Sequence, residues 1–170
     1  MSETAGPASY GRVDADGTVY VRTADGERSV GQIPDATAEE ALAFYVRRYE
    51  ALEVEVGLLA QRVAAGSLSP EESRQAVNNT RKSVVEANAV GDLDALVKRL
   101  DNLAPAIAEQ AEARRAARAE QQAATKQAKE DMVAEAEALA SGTDWRFGVN
   151  RFRDLLEHWK TLPRIDQIGR

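Results

Sequence analysis

The feature that most constrains this chain is a run of apolar residues, Leu42, Tyr45, Tyr49, Leu52, Val56, Leu59 and Val63, stepping by 3, 4, 3, 4, 3 and 4. An α-helix turns once in about 3.6 residues, so this alternation aligns all seven side chains in one narrow seam. The opposite face carries Arg47, Arg48, Glu50, Glu53 and Glu55. A helix with one apolar seam gains most of its stability from what covers that seam, so the spacing predicts a partner helix. The ends are marked as well. Thr37 with Glu40 three residues on makes a capping box, and Gly66 suits the position just past a helix C-terminus.

Ser69-Pro70-Glu71-Glu72 is a second helix start, with a capping serine, proline at the first helical position and a glutamate closing the box. A thinner seam follows at Val77, Thr80, Val84 and Ala87. The short connection from Gly66 to Leu68 predicts that this helix folds back on the first. Gly91-Asp92 then ends it and caps a third, whose Leu93, Leu96, Leu100, Leu103 and Ile107 again step by 3 and 4. Pro105 lacks an amide proton, which predicts a kink or short break near Asp101 to Ala104. Residues 36–104 therefore read as an antiparallel coiled-coil hairpin.

Ahead of it the pattern differs. Residues 1–9 offer little to bury and are expected to be disordered. In residues 10–35, the β-prone runs Tyr10 to Val13, Thr18 to Thr23 and Glu27 to Ile33 are separated by Asp16-Gly17 and Asp25-Gly26. Asp-Gly suits a tight hairpin in which both central residues take positive φ, so a three-stranded antiparallel meander is expected. Its few apolar residues require a helix to cover one face.

Beyond the hairpin, from Ala108 to Asp131, no apolar residue is larger than alanine. Residues 105–142 read as a solvated helical arm, rich in alanine and charge, with a weak apolar face returning at Met132, Val133, Ala136 and Leu139. The final segment, 143–170, is the most aromatic. Trp145, Val149, Phe152, Leu156 and Trp159 step by 4, 3, 4 and 3, with Leu155 widening the stripe and Pro163 ending the helix. The fold class is thus mainly α, with a small N-terminal β-meander.

Asp144-Trp145-Arg146-Phe147, Phe152, Leu155, Leu156, Trp159-Lys160 and Pro163-Arg164 resemble the first half of a bacterial helical repeat known only as domain of unknown function 349. In that family a helix with the pattern D-W, F, L and W-K leads, through a proline loop, to a second helix. The meander followed by a long helix is similar to the N-terminal region of actinobacterial members. The resemblance implies helical repeats and brings no activity. It also implies that the 170 residues are either the front of a longer protein or a short relative.

Chemistry leaves few traces. There is no cysteine, which removes thiolate metal sites and thiol nucleophiles, and His158 has no second imidazole to share a metal or a proton relay. Neither G-x-S-x-G nor G-x-x-x-x-G-K-[ST] occurs. Asp14-Ala15-Asp16-Gly17 begins like a calcium loop but lacks its later ligands, and a turn explains it. No catalytic, cofactor or metal residues and no small-molecule substrate are expected. The N-terminus lacks a signal peptide pattern and no long apolar run is present, so a cytoplasmic protein away from membranes is expected.

Two functional expectations follow. The first is a non-enzymatic interaction or scaffold protein that binds a protein partner, or itself, through heptad seams. The alternative is an RNA- or ribosome-associated factor. The overall charge of −6 opposes a general hold on phosphate, but the stretch from residue 143 on is net basic. Arg114, Arg115, Arg118, Lys126 and Lys129 on the arm, with Arg146, Arg151, Arg153, Lys160 and Arg164 on the last helix, would make that contact. The plainer account is a solvated face, because Glu112, Glu120 and Glu130 are interleaved.

Overall fold

Thr37, Ser69 and Asp92, the three cap residues, each stand where a helix begins. A computed structural model describes residues 6–143 and 145–164, with Trp145 described by its backbone alone. The helices are α1 (Ala38–Ala64), α2 (Pro70–Val85), α3 (Leu93–Asp101), α4 (Ala104–Ser141) and α5 (Trp145–Thr161), preceded by strands β1 (Gly11–Val13), β2 (Thr18–Thr23) and β3 (Gly26–Gln32). The protein is mainly helical with a three-stranded antiparallel sheet ahead of the long helices, in the order β1-β2-β3. It divides into a first unit through Ala111 and a second from Glu112.

Both capping boxes are closed. The Thr37 hydroxyl accepts from the Glu40 amide at 3.2 Å while Glu40 accepts from the Thr37 amide at 2.9 Å, and Ser69 and Glu72 repeat the exchange. That hydrogen bond, with the Thr37 hydroxyl adding a second, holds the Glu40 carboxyl below its ordinary pKa. At the other end of α1, Gly66 takes φ 65°, and the amides of Gly66 and Ser67 reach back to the Val63 and Arg62 carbonyls at 3.0 and 3.1 Å. Asp92 caps α3 through the Ala95 amide at 2.9 Å and also accepts the Tyr10 hydroxyl at 2.9 Å, which raises the Tyr10 phenol above its usual pKa. The break expected before Pro105 lies between Asp101 and Ala104, so the missing amide falls in the first turn of α4, where it costs no hydrogen bond.

The turns correct one expectation. Among the described residues only glycines have positive φ, Gly17 at 81° and Gly26 at 119° among them, so Asp16 and Asp25 do not. In the first hairpin Gly17 N–H bonds the Asp14 carbonyl and Asp14 N–H bonds Thr18, a type I turn followed by a left-handed glycine. The Asp16 carboxylate accepts the Thr18 amide at 3.0 Å, the local bond by which aspartate stabilises a turn. Residues 7–9, expected to be disordered, are the other difference. Pro7–Tyr10 is one turn of 3-10 helix, held by Ser9 to Gly6, by Arg22 donating to the Ser9 carbonyl at 2.6 Å, and by Tyr10 on Asp92. The Arg22 and Asp92 contacts come from distant sequence and leave no local signal.

The α1 seam is shared among several elements. Tyr45, Tyr49, Val56, Leu59 and Val63 are buried, and Leu42 and Leu52 half-buried. They join one core with Val19, Val21 and Val30 of the sheet, Val84 of α2, Leu93, Leu96 and Leu100 of α3, and Ile107, while Leu103 is half-buried beside it. Two glycines set how close the neighbours come. A β-carbon on Gly91 would lie 2.2 Å from the Tyr49 ring, and one on Gly31 would meet the Tyr45 hydroxyl group. Each fully buried Leu or Val contributes about 1.5–3 kcal/mol. In this unit the heptad seams are consumed by the chain's own fold.

Candidate functional site

In the middle of α4 every residue from Glu112 to Gln121 is exposed. Arg114, Arg115 and Arg118 lie in this band, and Arg115 is paired with Glu112 at 3.0 Å. Burial resumes beyond it, within the second unit, on the side of α4 carrying Thr125, Met132 and, partly, Glu135, Ala136 and Leu139.

Here α5 returns antiparallel to α4. Arg151 holds Glu135 with two hydrogen bonds, the Nη2 one at 3.1 Å, and this pairing lowers the Glu135 carboxyl pKa and raises that of the Arg151 guanidinium. About two turns further on, Lys129 lies over the Trp159 ring at 5.2 Å and donates to the Pro163 carbonyl at 2.9 Å. Between these clasps Leu155 is buried beside Met132.

The expected repeat-helix face divides. Leu155, taken in sequence as a widening residue, is the one buried in the hairpin, while Val149 (54%), Phe152 (49%) and Leu156 (50%) stay half exposed and Trp159 somewhat less. Leu155 sits about 60° around the helix from Phe152, so α4 covers one flank of a broad apolar arc and leaves the other open. The side chain of Trp145 lies outside the described residues. Val133 of α4, also exposed, lies across from Phe152, Leu156 and Trp159. Together they floor a groove that continues to Leu139, Ala140, Val149 and Arg153, with about 460 Å³ of space there. At its other end Lys126, Glu130, Glu137 and Arg164 stand around Val133 and Trp159. The apolar α4 positions were readable as a weak stripe, but not that α5 would leave Val133 uncovered.

The cations expected to meet RNA are exposed, except the half-buried Lys129. Several are engaged nearby: Lys126 with Glu130 at 3.7 Å, Lys160 with Glu157 at 2.7 Å, and Lys129 as above. His158 is exposed, and among the described residues no three His, Cys, Asp or Glu side chains gather as a metal site would require. No described helix is long and apolar enough to cross a membrane.

The aromatic segment on α5 carries the resemblance seen in sequence, and the family comparison finds the same family over a longer stretch. Residues 95–167 match the family described as Domain of Unknown Function (DUF349). The match takes in the whole of α4 and α5, well beyond the aromatic segment that carries the resemblance in sequence. The DUF349 description names no activity. No curated protein and no solved structure matches the chain.

Proposed function

We propose that this chain works by contact, as a non-enzymatic helical interaction protein whose docking surface is the open apolar face of the α4–α5 hairpin. The observation that carries this reading is the half-exposed strip of Val149, Phe152 and Leu156, continuous with Val133 across the groove. Contiguous exposed apolar surface of this kind, rimmed by charge, is the usual mark of a protein-binding site. A groove between two antiparallel helices fits further helices, whose own apolar stripes fill it. The seam of α1 is a weaker candidate because the first unit already covers it.

The RNA reading has less behind it. Arg115, Lys126 and Lys160 each have a glutamate one turn away, which offsets the charge a phosphate backbone would meet.

A photo-reactive residue placed at Leu156, with one at the exposed Gln121 as control, tests the choice in cells. Discrete protein adducts from position 156, absent from 121 and unchanged by ribonuclease, are expected. Adducts to RNA, concentrated at position 121, would overturn the reading.

A further inference from the structure

We infer that the occupant of the hairpin's apolar face is a second copy of the same chain, paired in an antiparallel four-helix arrangement. This rests on the docking reading above and adds the identity of the partner. Charge and symmetry both favour a second copy. The α4 rim of the groove carries Glu137 and, offset by its pairing with Lys126, Glu130, while the α5 rim carries Arg153, with Arg146 and Lys160 two turns to either side. Around Glu137 and Arg153 one face therefore presents an acidic side, an apolar floor and a basic side, and such a face is complementary to itself.

A two-fold axis set parallel to the helices, above the groove, lays the second copy's α4 over α5 of the first. Those two helices are then antiparallel, as α4 and α5 are within one chain, and the contact is isologous. The acidic rim of each copy falls beside the basic rim of the other. Within one chain the Glu135–Arg151 and Lys129–Trp159 contacts fix which turns stand level. They bring Glu137 of the partner subunit level with Val149 to Arg151, within a turn of both Arg146 and Arg153. Among the described residues, neither Glu137 nor Arg153 has an ion-pair partner within its own chain. At the centre Val133, Phe152 and Leu156 of each copy would bury one another, and no charge stands among them.

Sedimentation equilibrium of the full chain across a concentration series is the test. The wild-type protein is expected to dimerise reversibly, and Phe152→Asp to be monomeric with unchanged helical circular dichroism. Arg153→Glu and Glu137→Arg should each weaken association by about tenfold, since symmetry repeats the lost pair twice. The double variant should regain most of it. A wild-type chain that stays monomeric throughout overturns the second copy. Protein adducts from position 156 would then still leave the docking reading standing, whereas their absence would remove both. A dimer indifferent to Phe152→Asp, or a charge swap that fails to restore association, also overturns the pairing.

Discussion

The stripe on α1 and the stripe on α5 are written in the same spacing, yet the fold treats them differently. On α1 the sheet, α2 and α3 close over the seam, and residues such as Val56 lose all contact with water. On α5 a single neighbouring helix covers one flank, and Phe152 and Leu156 remain half exposed. The difference lies in the number of elements within reach. Around α1 the short links at residues 33–37, 65–69 and 86–92 bring three elements back onto it, whereas within its own unit α5 is covered by the returning half of α4. Periodicity reports that a face must be covered; it does not report whether the chain itself does the covering.

The comparison can be broken most forcefully at matched leucines. Leu100→Ala, at a fully buried site on α3 in the core that closes over the α1 seam, should cost roughly 2–5 kcal/mol in urea unfolding. Leu156→Ala should change the stability of the monomer by no more than about 0.5 kcal/mol while weakening association. Equal effects at the two sites would erase the distinction between a closed and an open stripe. Gly91→Ala comes next, at roughly 1–3 kcal/mol, because its new methyl would press on the Tyr49 ring. A thermal melt showing no loss would mean the loop can move away from α1. Thr37→Ala should cost about 1 kcal/mol through the loss of the hydroxyl's bonds to the Glu40 amide and carboxylate, again read from urea unfolding.

The smallest expected effect is a pH dependence. Because Glu40 has a lowered pKa in the folded state, its contribution is present above the unfolded carboxyl pKa and is lost as pH falls through the lower folded value. Acid titration of unfolding should therefore show a shallower decline for Glu40→Gln than for wild type over that acidic window. Parallel curves would show that the box does not carry this part of the acid sensitivity.

Much of the fold was readable because its signals are local. The capping boxes at Thr37 and Ser69, the positive φ of Gly66 and the break before Pro105 all depend on a few adjacent residues. The meander was legible for the same reason, although the turn type was not: Asp-Gly permits two geometries, and in the one formed the Asp16 carboxylate accepts the Thr18 amide. The 3-10 turn at Pro7–Tyr10 escaped notice because Arg22 and Asp92 hold it from elsewhere in the chain. The candidate site was half legible. Val149, Phe152, Leu156 and Trp159 stood out as a stripe, but its exposure, and the groove formed with Val133 and Leu139, required knowing where α4 lies.

Propensity, capping and periodicity act within a turn or two, so the helices and strands, their ends and the faces that must leave water are all set locally along the chain. Only the tertiary structure decided which faces the chain covers for itself and which it leaves open. Coverage depends on the direction in which distant segments return, and burial of apolar surface carries no direction of its own.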